Sequence, residues 1–588
     1  MTFLEYYKEN LAHIRHLGAE FAAEFPKIAA RLDLNSQECP DPYVERLLEG
    51  TAFLAAKVEN KLESGYPRLL ESILANVAPS ALNNQPSYCV LEIQSKKQPC
   101  SFPAKTRFQT MIPGVKTPCT FVSMIDFDFT PLVIDSLEYS VRDLSDFSFT
   151  DRGGLSVATM RFSGDVTNTD TVDIYLDLPD GIASRVLELF AVGLQNIYTI
   201  LPDGRTVKLG EDISISLPFM ERTVVGSSKI STIGLNNLQE FLAYPAMFKF
   251  MRISGLQKFF ELSGENSLPL HFVFAKKDIS LLRIFSAADF KLGCFPAINL
   301  FSKDADRIQI SGRYEYQVVP DRTVPLDYEV FQVTSVDFFN ESNQTLFSGR
   351  KLFDNSFSAT RDDECYFVEH RSERLVSAKH LARSSYTGSE MYISFTGRRW
   401  LEDQYTIAQV QPKTLCTNRE LPLLLTKENI FSSLSAKKIT ATLAVMPCKP
   451  KPPLIQSGDK SSWDAAGMIA LNFSSVLWKT GGLPLESLRA IIQAYSSRTE
   501  EETELLTEGI KSMETQPCRF RFMEQGCIYY ENGWNVRLTL REQAYEGIGL
   551  LLFSLILRTL MRNFLPLNAF MKLTVVSDQR GEVFSWQV

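Results

Sequence analysis

The hydrophobic period of this chain changes once near residue 85, and that change restricts its architecture more than any other feature. Before it, Leu4, Tyr7, Leu11, Ile14, Phe21 and Phe25 recur at spacings of three and four, with Gly18 filling the gap. That spacing predicts an amphipathic helix. A T-x-x-E capping box at Thr2 and Glu5 starts it and Pro26 ends it. Asp41 and Pro42 restart the chain as N-cap and first helical residue. A third short helix is predicted from about Pro67 to Val77, stopped by Pro79. From Tyr88 to about Val445 the period is two, as in "TVDIYLDLP", where Val172, Ile174, Leu176 and Leu178 share a face opposite Asp173, Tyr175 and Asp177. Tyr314, Tyr316 and Val318 alternate in the same way, as do Ile439, Ala441, Leu443 and Val445. Short helices interrupt the strands at "ASRVLELFAVG" and "NNLQEFLAYPAMFKF".

Helices first and strands afterwards predict an α+β chain, and 588 residues are too many for a single core. The expected division is a helical segment at 1–82, β-rich domains at 83–275 and 276–446, a linker at 447–463 and an α/β domain at 464–588. The linker rests on Pro447, Pro450, Pro452 and Pro453 followed by Ser457-Gly458-Asp459. Beyond it the sequence predicts a helix from Leu488 to Tyr495 and an acidic helix at "TEEETELL". The strand "GWNVRLTL", an apolar helix from about Ile548 to Phe564 and a hairpin around Asp578 to Gly581 follow. Phe is unusually common, at 41 residues, which predicts aromatic-rich cores or interfaces.

Several functions are disfavoured. A net charge of -8 without a long Lys/Arg run argues against nucleic acid and anionic membranes as main partners. The run "GIGLLLFSLIL" is far short of the ~20 residues that span a bilayer, so it reads as a buried helix and no membrane insertion is expected. No basic region followed by an apolar core stands at Met1, and the ten cysteines form no C-x-x-C, so reduced thiols in a cytoplasmic protein are expected.

There is no phosphate-binding P-loop and no G-x-S-x-G nucleophile elbow; Gly547 and Gly549 lack the third glycine of a dinucleotide fingerprint. His13 and His16 lie one turn apart without further ligands at metal spacing, and His271, His370 and His380 read as structural. Asp126 with Asp128, and Asp362, Asp363 with Glu364, could do acid–base work or hold a cation, yet neither group has a His or Gly-rich loop beside it. No enzyme activity, metal or cofactor is expected. A carboxylate-dependent glycosidase is the enzyme alternative, and it would need a cleft joining Asp126 or Asp128 to another acid.

The stretch "DPYVERLLEGTAFLAAKVENKLESG" is the informative one. Val44, Leu47, Leu48, Val58 and Leu62 form a stripe, Gly50 costs ~1 kcal/mol in a helix interior, and Thr51, Ala52, Ala55 and Ala56 remove bulk after it. The residues alone allow either an ordinary helical hairpin or a helix shared between subunits, with charges such as Arg46 and Glu49 fixing register.

That stretch, the opening "FLEYYKENLAHIRHLGAEFAAEFPKIAARL", "GLNNLQEFLAYPAMFKF", "CFPAINLFSKDADRIQI", "YEYQVVPD", "LCTNRELP" and "YEGIGLLLFSLILRTLMRNFLPLNAF" resemble, in order, the blocks of the TssF (VasA/ImpG) family of type VI secretion baseplate subunits. Asn60 and Gly65 depart from the charged residues expected there. The resemblance implies a fold similar to contractile phage baseplate wedge proteins and a non-catalytic structural role. It implies partners as well: a TssG-like subunit, TssK, TssE, the VgrG spike and a second copy of the chain. It implies a cytoplasmic protein recruited to an inner-membrane-anchored apparatus, which seeds a contractile sheath. A wedge protein of a phage or phage-tail-like particle is the alternative. The shared-helix reading then places the partner contact on Leu4, Tyr7, Leu11 and Ile14 of the first helix. On the second it falls on Asp41, Val44, Glu45, Arg46, Leu47, Glu49 and Gly50, with Gly50 at the closest approach.

Overall fold

The computed structural model describes residues 3–25, 27, 42–63, 82–94, 99–141, 154–164, 169–201, 203–219, 233–263, 268–352, 365–374, 384, 386–403, 406–434, 439–453, 485–496, 499–524, 527–565 and 569–587. Helices α1 (Phe3–Glu24) and α2 (Pro42–Glu63) stand where the period of 3.6 places them. Thr2, Asp41, the third short helix and the Asp362–Glu364 cluster lie outside the described residues.

A closed six-stranded barrel follows. Its order is Tyr88–Ile93, Cys294–Ile298, Cys119–Ser123, Arg107–Thr110, Phe431–Ser433 and Thr440–Val445, which returns to the first. Two of the neighbouring pairs are local, Arg107–Thr110 with Cys119–Ser123 and Phe431–Ser433 with Thr440–Val445, but the other four join strands far apart in the chain, and the barrel draws on both sides of residue 275. Its aromatic filling bears out the expectation from the phenylalanine content. Phe102 and Phe127, from a two-stranded ribbon, meet Phe108 and Phe295 of the barrel wall with ring centroids 5.0–5.2 Å apart. That is the spacing of favourable edge and offset contacts.

Around the barrel lie a five-stranded sheet, a four-stranded sheet and an eight-stranded sheet built largely from residues 301–417. Strand Thr171–Leu176 buries Val172, Ile174 and Leu176 as its alternation requires. Tyr175 is buried too, contrary to its expected outward face. The second face is also covered: the Phe250 ring lies 4.9 Å away and the Lys249 ammonium 5.7 Å above the Tyr175 ring. Tyr314 stays outside strand Tyr316–Val318 and is exposed.

Helices α3 (Asp180–Ala191) and α4 (Ile233–Ala243) supply the two predicted helical interruptions. The C-terminal unit has α5 (Leu485–Tyr495), α6 (Glu500–Glu508), α7 (Leu550–Phe564) and a sheet in the order Ile510–Glu524, Cys527–Leu540, Phe570–Ser577, Gly581–Gln587. The apolar run is indeed interior: Leu550 to Leu557 are all buried, and α7 packs on α4 and α3. No helix among the described residues is long and apolar enough to cross a membrane.

Two glycines permit this docking. Gly549 has φ +97°, and a Cβ there would collide with the Ser184 side chain of α3, while one at Gly181 would collide with the Glu546 carbonyl oxygen. Gly549 of the G-x-G is thus a helix-packing residue, while a Cβ at Gly547 would meet nothing within 4 Å. The described half of the proline-rich stretch is also tied down. Lys451 N–H donates to the Gln85 carbonyl (3.1 Å) and receives its N–H in return (2.8 Å), and Cys448 N–H donates to Tyr88 (3.0 Å). The non-proline positions make the bonds that the prolines cannot.

The barrel and the eight-stranded sheet meet at a buried amide pair. Asn299 follows barrel strand Cys294–Ile298, and Asn418 follows sheet strand Gln409–Thr417. The Asn418 N–H donates to Asn299 Oδ1 (2.7 Å), and Asn299 Nδ2 donates to Asn418 Oδ1 (3.0 Å) and to the Thr120 carbonyl (2.7 Å). Thr120 N–H donates to Asn418 Oδ1 as well (2.9 Å). Asn418→Ala would leave several buried groups unpaired, each costing about 1–3 kcal/mol. We expect a loss of roughly 3 kcal/mol or more, read as a large drop in the midpoint of urea denaturation; a midpoint near wild type would show that these groups are satisfied otherwise.

Candidate functional site

Of the carboxylates singled out in the sequence, Asp126 has a structural role. Asp126 Oδ1 accepts the Ala104 N–H at 2.8 Å and so caps a turn, and both Asp126 and Asp128 are exposed. Buried Glu329 accepts from Tyr386 Oη (2.7 Å), Ser389 N (2.8 Å) and Ser389 Oγ (2.6 Å), with Arg371 4.0 Å away. A carboxylate so engaged is fixed as an acceptor. The eight cysteines whose thiols are described are all free. Burial raises the thiols of Cys365 and Cys416 to about 12, so neither is a ready nucleophile. His13 and His16 are exposed on α1, and no group of three metal-binding side chains occurs among the described residues.

A cleft of about 550 Å³ lies beside the contact of α3 with the C-terminal unit and is lined by residues of both. Across one side of it, Arg580 is held by Glu188 (2.6 Å) and Glu542 (2.9 Å). These contacts latch two parts of the fold together, and sequence reasoning had no signal for them because Glu188 and Arg580 are 392 positions apart.

The helical hairpin has a different character. Arg15 pairs with Glu45, and Asn10 Nδ2 donates to Glu59 Oε2 (2.6 Å), so α1 and α2 run antiparallel. Among the described residues, Tyr6, Ala52 and Ala56 are the buried apolar ones of this hairpin. The closest approach within this chain is therefore at the two alanines. A Cβ on Gly50 would meet nothing within 4 Å.

At ~100° per residue, Tyr43, Leu47, Gly50, Leu54 and Val58 form one stripe on the opposite side of α2. Tyr43 is 76% exposed, Leu47 70%, Leu54 62% and Val58 57%. Gly50 is a notch in that stripe, and exposed Arg46 and Glu49 flank it. Of the other expected contact residues, Glu45 faces α1, Val44, Tyr7, Leu11 and Ile14 are half-buried, and Asp41 and the Leu4 side chain lie outside the description. Among the described residues, the core cluster spanning barrel, sheets and C-terminal unit contains none from the hairpin. A contiguous apolar stripe left outside a core marks a site of association.

Two outcomes separate the structural roles from catalytic ones. Replacing Asp126 and Asp128 together with Asn keeps an acceptor for Ala104, so stability should change by less than ~1 kcal/mol in urea denaturation and assembly with partner subunits should be unaffected. Loss of function with stability and assembly intact would revive a carboxylate site. His271 lies 2.9 Å from Thr159 Oγ1, and burial, aided by Arg161, lowers its pKa to about 4. The unfolded chain takes up that proton near the ordinary value of about 6.5, so stability is full above it and falls as the pH drops toward 4. Relative to His271→Asn, the wild type should lose roughly 2 kcal/mol between about pH 7 and pH 5; parallel curves for the two proteins would refute the burial argument.

The type VI secretion system TssF family profile matches residues 1–588. The chain is 29% identical over 625 residues to the type VI secretion system component TssF1 of Pseudomonas aeruginosa, covering 99% of this chain and 98% of that one. It superposes on a chain of the TssK-TssF-TssG baseplate subcomplex of a type VI secretion system, solved by cryo-electron microscopy. The TM-score is 0.70 at 19% identity, over 93% of this chain and 98% of that one. A chain of the baseplate complex from the type VI secretion system gives 0.54 at 18% identity, over 100% and 98%. With the helices, barrel and C-terminal unit all inside the matched span, the chain belongs to the TssF family of the type VI secretion system.

Proposed function

We propose that this chain is a non-catalytic structural subunit of a type VI secretion baseplate wedge, and that it joins its partners through the α1–α2 hairpin. The observation that carries the reading is the exposed stripe Tyr43, Leu47, Gly50, Leu54, Val58 on a hairpin outside the core. Full burial of a Leu or Val side chain contributes roughly 1.5–3 kcal/mol. A helix pressed against this stripe would recover most of that, and the Gly50 notch would let its backbone come close. One of the similar solved chains belongs to a TssK-TssF-TssG baseplate subcomplex, which supports subunits of those kinds as the occupants. Contacts with TssE, a VgrG spike and a second copy belong to the same proposal, as does a cytoplasmic location beside a membrane-anchored apparatus. We further propose that segment 1–82 is the assembly arm and that 464–588 is a separate α/β unit latched through Arg580.

The test uses Gly50→Leu and Arg46→Glu. In the isolated chain Gly50 borders open space, so Leu should be tolerated or add up to ~1 kcal/mol of helix propensity. Bound to a TssG-like partner, the same side chain fills the notch, and overpacking costs about 1–3 kcal/mol. Both variants should fold normally and recover about tenfold less complex on co-purification. Wild-type yields for both would remove the hairpin from the interface.

A further inference from the structure

The C-terminal sheet carries a second exposed apolar surface. Strands Ile510–Glu524 and Cys527–Leu540 form a long hairpin paired throughout, but the third strand joins only from Gly533, opposite Phe570. Residues 519–524 and 527–532 therefore project as a two-stranded ribbon, which has little stability of its own in water. Cross-strand partners share a face. Trp534, Val536 and Leu538 point to the core side, so Asn532, Tyr530 and Ile528 continue that face outward, with their partners Arg519, Arg521 and Met523.

Lower on this sheet α5 and α6 pack on strand Ile510–Glu524 and α7 packs on strand Phe570–Ser577, and Val536 and Leu538 are fully buried. Past Trp534 the face is exposed, Met523 to 70% and Tyr530 to 66%. Arg519 and Arg521 make no ion pair among the described residues. The surface thus combines an aromatic, two aliphatic or thioether side chains and two free guanidinium groups. Tyr and Arg of this kind are favoured interface anchors.

We propose that this ribbon face docks an acidic amphipathic helix of a partner protein. Helices already pack on the same sheet one step below, and helix-on-sheet layering extends without a change of geometry. Carboxylates on its flank would give Arg519 and Arg521 charge-assisted hydrogen bonds. Its apolar side would cover Met523, Ile528 and Tyr530. The site is distinct from the α1–α2 hairpin.

The test is fluorescence anisotropy of the full-length protein with two labelled helical peptides of about 18 residues, identical in their leucine stripe but carrying Glu or Lys on the flanks. The Glu peptide should bind saturably and the Lys twin about tenfold or more weaker. Arg519→Glu with Arg521→Glu should invert that preference, which a merely misfolded variant cannot do. Tyr530→Ser should weaken both peptides, while Leu47→Glu on the hairpin should change neither. Equal binding of the two peptides, no saturable binding, or a double variant that keeps the wild-type preference would overturn the proposal. So would preferential binding to phosphatidylglycerol vesicles, which would make the ribbon a lipid contact instead.

Discussion

The Asn299–Asn418 pair with Thr120 is the joint on which the central architecture hangs. Three chain segments converge there, and each amide satisfies groups that no strand ladder reaches. Asn299 also ties back to the start of the barrel, donating its N–H to the Ser87 carbonyl (2.8 Å). Buried amides in a low-dielectric interior are costly when unpaired and rigid when satisfied. This set therefore fixes not only that barrel and eight-stranded sheet touch but in which register. Two blocks that marked the family resemblance, "CFPAINL" and "LCTNRELP", turn out to be the two halves of this joint.

A second joint seats the C-terminal unit. Gly181 and Gly549 remove the side chains that would hold α3 and α7 apart, and Arg580 spans to Glu188 and Glu542 beside them. Here too two matched blocks meet, since α4 of "GLNNLQEFLAYPAMFKF" packs against α7 of the closing block. The middle of the molecule is thus over-determined by burial, hydrogen bonds and close backbone approach. Its two ends are not. The hairpin at one end and the ribbon at the other carry apolar side chains into solvent, and both leave charged side chains at the rim of the exposed patch. A rigid centre with unsatisfied extremities suits a subunit whose work is to hold others in place.

Some of this was written plainly in the sequence, because local physics suffices for it. The period of three and four fixed α1 and α2, the period of two identified Thr171–Leu176 and Gly533–Leu540 as strands, and run length showed α7 to be an interior helix. What Asp126 does was not legible there: it looked like half of a carboxylate pair, and it caps a turn through the Ala104 N–H. Tertiary structure decided what depends on distant neighbours. Tyr175 alternates like a surface residue but is buried, because Lys249 and Phe250 cover the second face. The small residues Gly50, Ala52 and Ala56 read alike in the sequence, yet Ala52 and Ala56 face α1 while Gly50 looks outward. Periodicity gives a helix its faces but not the partner each face meets. Barrel closure between residues as far apart as Val90 and Val445, the Arg580 latch and the amide joint left no local trace either. A sequence determines its own elements through near neighbours, and only the packed chain reveals which of their faces remain free for other molecules.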